Sequence, residues 1–350
     1  MSKNRLFIFL TLFIFVIGLS AFQESGTSFI FDNDTLEVNL PTNLPKPVYD
    51  FKKNPVTRAG FELGKILFYA PVLSSSQSLS CSSCHQAFGA FANLGVSKSK
   101  GVEDCIGERN APPLFNLIWQ KEFMWDGRIK DMIDVPTNAL TNPCEMNNNM
   151  DSILAVLSHD PDYPGLFNKA FGKIGISEAN VLCALTQFTS IMISANSKDD
   201  KFIRKEEGGN LTEDELSGYA LFKQKCSTCH TEPLFTDGSF RNNGLDEISK
   251  ERGRDSITNK TADKGKFRVP TLRNIEITQP YMHDGRFTSL KQVLQHYNTG
   301  VKNHINLDPV FKQKGNRGIS LTALQQTQII AFLKTLTDID FINDRRFVNH

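Results

Sequence analysis

The 350-residue chain has almost no charge of its own: 39 lysines and arginines stand against 38 acidic residues, for a formal net charge of +1. With the two signs well mixed, that balance excludes a polyanion such as nucleic acid as the natural partner. Long apolar runs are also missing. The one candidate, Leu6 to Leu19, follows Lys3 and Arg5. It is short for a membrane span and the right length for the core of a secretory signal. Gly18, Ser20 and Ala21 offer a cleavage region, so residues 1–21 read as a signal peptide and the protein as exported, to a periplasm. An uncleaved membrane anchor is the alternative. No cysteine follows the run, which removes a lipoprotein anchor. Alternating strand patterns are absent too. Apolar residues recur instead at helical spacing over 150–159, 178–195, 289–297 and 320–336. Histidine is scarce, and none falls between Gln86 and Ser158.

Cysteine, by contrast, is organised. Four of the seven form two C-x-x-C pairs, each followed at once by histidine: CSSCH at 81–85 and CSTCH at 226–230. This is the attachment pattern of a c-type haem, in which each thiol adds to a vinyl group and the histidine meets the iron. A zinc site needs four converging ligands, and a redox dithiol needs a βαβ context. Neither accounts for the histidine at both places. Cys81, Cys84 and His85 therefore read as one haem site, and Cys226, Cys229 and His230 as a second.

The surroundings of the two motifs repeat. GKILF at 64–68 precedes the first and GYALF at 218–222 the second, and Phe91 and Phe235 follow the histidines. The chain reads as a mainly α protein of two cytochrome c-like domains packed around two covalent haems, with long loops and few strands. The domains span 55–195 and 211–340, joined by a charged linker at 196–210. Thr212 and Glu215 form a capping box ahead of the second motif. Long polar loops at 32–58, 92–113, 136–150 and 237–266 make sense if they wrap large cofactors.

The stretches RNAPPLFN, MWDGR, NPCEMNN, LFKQKCSTCH, FRVPTLRN and PYMHDGRF, together with the first haem motif, resemble the bacterial di-haem cytochrome c peroxidases. That family includes the MauG-type enzymes, and the resemblance spans residues 55–340. It implies that the second haem takes electrons from a small donor protein, a cytochrome c or a cupredoxin, and passes them to the first. There hydrogen peroxide is reduced to water. It also implies a homodimer as a further assembly. By the same resemblance Glu145 is the active-site carboxylate and Trp125 an electron relay between the haems. Asn110 and the carbonyls of Thr278 and Pro280 hold a calcium ion. Tyr297 is the outer ligand of the second iron, with the adjacent His296 as the alternative. Asp126 and Arg128 pair to fix the MWDGR turn, and Arg128 is a candidate for a haem propionate.

The chain departs from the family pattern above the peroxide site, where Val135, Asn138 and Ala139 replace the usual glutamine and Gly-Pro turn. Exported thiols tend to pair, so a Cys105–Cys144 bridge is expected to pin the active-site loops, leaving Cys183 as a core thiol. The histidine-free stretch 86–158 leaves the first haem without a strong outer ligand. Of the other histidines, His283 is expected to make a structural hydrogen bond, while His159, His304 and His350 read as surface residues. Two other functions fit two haems: a MauG-type oxidation of a partner protein, and electron carriage with no substrate. Glu145 and the missing outer histidine argue against the last.

Overall fold

The computed structural model describes residues 35–313 and 316–349. The signal peptide at 1–21 and His350 lie outside these described residues. Twelve α-helices follow in order: α1 (Arg58–Tyr69), α2 (Cys81–Cys84), α3 (Val135–Thr141), α4 (Met150–His159), α5 (Asp162–Phe171), α6 (Glu178–Ser190), α7 (Lys198–Arg204), α8 (Glu213–Lys225), α9 (Asp255–Thr258), α10 (Leu290–Gln295), α11 (Ala323–Lys334) and α12 (Ile339–Ile342). The described strands are two short antiparallel pairs, Phe240–Arg241 with Phe267–Arg268 and Lys312–Gln313 with Asn316–Arg317.

Each haem motif follows a helix that crosses a later one. In the first half α1 packs on α6; in the second, α8 packs on α11. Both crossings turn on a glycine. A methyl group at Gly64 would collide with the carbonyl oxygen of Ala184, and one at Gly218 with the carbonyl oxygen of Gln328. The glycines shared by GKILF and GYALF thus let two backbones touch. The phenylalanine four residues on, Phe68 or Phe222, then lies buried against a ring from the crossing helix, Phe188 or Phe332, at 5.1 Å in both halves. Gly218→Ala should lower stability by about 1–3 kcal/mol, since neither helix can retreat without losing its packing. A thermal or urea unfolding curve measures the loss.

Buried apolar residues form one cluster around α1, α5 and α6 and another around α8, α10 and α11. A third, smaller one gathers Leu44, Trp119, Phe123 and Met132. Trp119 is a core residue there, its indole N–H donating to the Pro45 carbonyl at 2.7 Å.

A second repeat lies in the turns. Phe123 pairs with Ile129 and Tyr281 with Phe287, each closing a turn of sequence Met-x-Asp-Gly-Arg. In both the methionine is left-handed, with φ of 65° at Met124 and 73° at Met282. In both the aspartate grips the arginine two residues on, Asp126 with Arg128 at 2.6 Å and Asp284 with Arg286 at 2.6 Å.

Several expectations shift. The stretch 196–210, read from the sequence as a charged linker, carries α7. Ser197 and Asp200 cap its start reciprocally, and Asp200 lies buried against Arg273, the two nitrogens at 2.8 and 2.9 Å from its oxygens. The loop expected over 136–150 contains α3, entered through Pro136 in its first turn, where proline's fixed φ suits a helix start. His304 is buried, not on the surface, with Nε2 at 2.9 Å from the Ser249 hydroxyl and Nδ1 accepting from the Asn306 backbone at 3.0 Å. Cys183 is only partly buried, on α6. His159 is exposed at the end of α4.

The chain end crosses back to the first half. Buried Asp338 receives the Ser194 hydroxyl at 3.1 Å and the Asn196 N–H at 2.9 Å, and caps α12. Phe341 and Phe347 then enter the first core, where the Tyr69 hydroxyl donates to the Phe347 carbonyl at 2.7 Å.

Candidate functional site

The first C-x-x-C pair opens and closes the single turn α2. At three residues' separation the two thiols share a face. The His85 backbone N–H donates to the Cys81 carbonyl at 2.9 Å, and His230 does the same to Cys226 at 3.0 Å, so the two motifs fold alike. Each imidazole is then fixed by a carbonyl further along. His85 Nδ1 lies 2.9 Å from the carbonyl of Phe91, and His230 Nδ1 lies 3.1 Å from that of Phe235. Those carbonyls are aimed by left-handed residues, φ 58° at Phe91 and 55° at Phe235. A histidine held this way by Nδ1 offers Nε2 as its ligand atom. Burial pulls the His85 pKa down to about 4, against the upward pull of the Phe91 carbonyl, and burial lowers that of His230 too. Both rings are therefore neutral near pH 7, the form that binds metal. Burial also pushes the Cys81 and Cys226 thiols up to about 12, which is opposite to what a reactive redox dithiol requires.

The second motif opens on a cavity with about 1430 Å³ of atom-free space, the solvent at its mouth included. Its walls are mostly apolar, including Phe222, Leu294, Ile329 and Leu333, while Lys225, Arg241 and Arg268 supply cations suited to propionates. Cys226, Cys229 and His230 all line it, so the residues present fit a covalent haem. Tyr297 lines the same cavity, stacked on Phe311 at 5.5 Å, with its phenol pushed up to about 12 by burial. His296 does not line it; its Nε2 donates instead to the Asn243 carbonyl at 3.0 Å. Met282, which sequence reasoning missed, also lines the cavity. Its sulfur and the Tyr297 hydroxyl share the Asn243 amide, at 3.4 and 3.5 Å. The signal for it was the repeated Met-x-Asp-Gly-Arg.

Glu145 is held beside the first motif. The Asn142 amide donates to its carboxylate at 2.7 Å, and the Asn142 side-chain oxygen accepts from the Cys144 backbone at 2.9 Å. The Val102 N–H donates to the Glu145 carbonyl at 2.9 Å, and a Cys105–Cys144 disulfide ties the same two loops. Burial raises the Glu145 pKa; the Asn142 hydrogen bond and then the Arg128 charge pull it back. The carboxylate is near enough to both Cys81 and Cys84 to raise their pKa values in turn. Val135, Asn138 and Ala139, the departures from the family pattern, lie on α3. From there the Asn138 and Ala139 carbonyls accept the backbone N–H groups of Asn142 and Met146, at 3.2 and 3.1 Å.

The turn Phe123–Ile129 faces both sites. Trp125 lines the second cavity and donates its indole N–H to the Asn110 carbonyl at 2.8 Å, while Arg128 acts on Glu145. Asp126, fully buried, is shared between Arg128 and Arg109, the latter at 2.8 Å. Arg109 in turn pairs with Glu251, a residue the sequence did not single out. Asn110, Thr278 and Pro280 all line this cavity. The Asn110 amide nitrogen donates to the Val96 and Ser97 carbonyls at 3.2 and 3.3 Å, and its side-chain oxygen accepts no hydrogen bond among the described residues. His283 stacks on Phe267 at 3.6 Å, and its carbonyl accepts the Asn110 N–H at 2.7 Å.

Comparison with known proteins places this geometry. Residues 58–208 match the family model for di-haem cytochrome c peroxidase. The chain is 34% identical to the methylamine utilization protein MauG of Methylorubrum extorquens, over 85% of this chain and 82% of that protein. It is 33% identical to the cytochrome c551 peroxidase of Nitrosomonas europaea, over 79% of each. A crystal structure of a MauG-like protein associated with microbial copper homeostasis superposes with a TM-score of 0.82, at 30% identity, covering 89% of this chain and 99% of that one.

Proposed function

Because the chain belongs to the di-haem cytochrome c peroxidase family, we propose that it reduces hydrogen peroxide to two waters beside Glu145, with two electrons and two protons consumed per turnover. It is a di-haem oxidoreductase of the peroxidase class with two c-type haems. Once attached, the haems supply irons that exchange single electrons and cleave the peroxide O–O bond. The chain's own residues do the rest. His85 and His230, each fixed through Nδ1, would each hold an iron through Nε2. The Glu145 carboxylate accepts a proton from one peroxide oxygen and returns it to the other, the work of a positioned general acid–base. Asn142 fixes the carboxylate for that transfer, and Arg128 favours its ionised form. Trp125 relays electrons from the second haem to the first. The observation that carries the reading is the placement of Glu145 beside Cys81 and Cys84 by two independent ties, the disulfide and the Asn142 amide.

Electrons enter at the second haem from a small redox protein of cytochrome or cupredoxin type. Asn110 Oδ1 with the carbonyls of Thr278 and Pro280 suits a hard cation such as calcium, which takes neutral oxygens and keeps several waters. The protein works after export; among the described residues no helix is long and apolar enough to cross a membrane.

With no histidine from Gln86 to Ser158, no imidazole from that stretch would hold the outer side of the first haem. Electron paramagnetic resonance of the oxidised protein should show one high-spin and one low-spin ferric haem, and peroxide should react without prior reduction. Two low-spin signals, with a lag abolished by pre-reduction, would overturn this. Tyr297→Phe should change the optical spectrum of the second haem alone; an unchanged spectrum moves the outer ligand to Met282.

Tyr297 also favours a second reading, peroxide-driven oxidation of a partner protein, because it lines the second cavity and, if it lost its proton to bind an iron there, would stabilise the oxidised form. Steady-state turnover with a reduced small cytochrome decides between them. Fast turnover supports the peroxidase. Slow turnover with a long-lived oxidised state supports the partner oxidase.

A further inference from the structure

The two motifs hold their histidines alike, but what lies behind the phenylalanine that aims the proximal carbonyl differs. In the second half Phe235 packs on Phe222 at 5.6 Å and on Phe332 at 6.2 Å, both from helices of that half. In the first half Phe91 packs on Phe68 at 5.9 Å, but the ring equivalent to Phe332, which is Phe188, does not reach it. The chain end fills the gap. Phe347 lies 6.1 Å from Phe188 and 6.2 Å from Phe91, and Phe341 lies 6.1 Å from Phe91. Phe347 is fully buried, and its carbonyl is tied to the Tyr69 hydroxyl.

We propose that the C-terminal strap is a positioning device for the first haem: Phe347 and Phe341 hold Phe91 in its left-handed conformation, and so hold the carbonyl that accepts the hydrogen bond from His85 Nδ1. A left-handed backbone costs a non-glycine residue free energy and persists only where packing enforces it. Here the packing comes from residues about 250 positions along the chain, whose near end is anchored by Asp338 to Ser194 and Asn196. The hydrogen bond from Nδ1 makes an iron-binding imidazole a stronger donor. Stronger donation stabilises the oxidised iron and lowers its reduction potential, one of the levers a protein has on a haem. Loosening the strap weakens the bond and moves the first haem's potential up, leaving the second haem alone. The inference rests on the two-haem assignment and not on the peroxidase reaction.

The test is a spectroelectrochemical titration of both haems in the full-length holoprotein, with the iron–histidine stretch of the first haem read by resonance Raman. Phe347→Ala should shift the first haem's potential positive and lower its iron–histidine frequency, with the second haem unmoved. Phe347→Leu should restore most of both. Phe167→Ala, which opens a cavity in the same core among rings that do not pair with Phe91 or Phe347, should destabilise the protein without either shift. If Phe347→Ala fails to take up haem, Tyr69→Phe removes only the hydroxyl tie and should give a smaller shift of the same sign. Potentials and frequencies that stay at the parent values in Tyr69→Phe and in Phe347→Ala overturn the proposal. So do equal shifts at both haems, or the same shift in Phe167→Ala.

Discussion

Replacing Glu145 by glutamine should lower peroxide turnover by about a hundredfold or more, while both haems stay attached and their resting spectra stay unchanged. The amide keeps the shape and can still meet the Asn142 side chain, so the loops held by the disulfide have no reason to move. What is lost is the group that exchanges a proton. The pH profile carries a second signature. Burial raises the Glu145 pKa above its ordinary value, against the Asn142 hydrogen bond and the Arg128 charge. The carboxylate must be ionised to accept the first proton, so turnover should fall as the pH drops through that raised pKa. Arg128→Leu should move the falling limb further up, because it removes a charge that favours ionisation. Stopped-flow decay of peroxide across a pH series measures both. Turnover of the glutamine variant within a few-fold of the parent would make Glu145 a bystander and return the proton transfer to solvent.

The second large effect is on stability. Arg273→Leu should cost about 3–5 kcal/mol, because it leaves Asp200 buried and unpaired. The two side chains are each about 1% exposed, and Arg273 also donates to the Pro233 carbonyl at 2.7 and 3.0 Å. Removing both partners, as Arg273→Leu with Asp200→Leu, should recover much of the loss. Asp200 has a depressed folded pKa: burial opposes ionisation, but the Arg273 contacts outweigh it. Its contribution is therefore complete above the unfolded-chain value and is lost as the pH falls through the folded one. Neighbouring Asp199 runs the other way. Burial and the Asp200 charge raise its pKa to about 7, so its contribution is present below the unfolded value and is lost as the pH rises through about 7. Asp199→Asn should then stabilise the protein at pH 8 and do less at pH 5. Urea midpoints at the two values decide it, and equal midpoints for parent and variant would remove Asp199 from the account.

Much of this was legible in the sequence because its grammar is local. A C-x-x-C-H motif needs one turn of chain, and helix α4 begins and ends where its apolar period does, at Met150 and His159. Thr212 caps α8 with Glu215 as its spacing requires. The parts that escaped depend on partners far along the chain. Charged 196–210 reads as a linker until Arg273 arrives to neutralise Asp200. His304 reads as a surface residue until Ser249 closes on its ring. The equivalence of the Trp125 and His283 turns shows itself in backbone angles more plainly than in letters. Residue type alone could not choose between Tyr297 and His296, and it did not bring Met282 forward. The choice was narrowed when a π-helical turn at His296–Gly300 sent His296 to the Asn243 carbonyl and left Tyr297 facing the cavity.

The Cys105–Cys144 bridge has a consequence for how the protein is made. Seven cysteines leave the ribosome chemically alike, yet two must be oxidised to each other and four must remain thiols until haem reaches them. A Cys81–Cys84 or Cys226–Cys229 disulfide would block attachment, and either could capture Cys105 or Cys144 by exchange. The fold helps to sort them: the bridge joins residues 39 positions apart whose Cα atoms sit 4.9 Å apart once the loops have met. Burial meanwhile holds the haem-binding thiols protonated and slow to exchange. Maturation of this chain is thus a contest between an oxidant and a haem supply, and production in a host with strong disulfide catalysis but weak cytochrome assembly should yield folded, bridged protein with empty haem motifs.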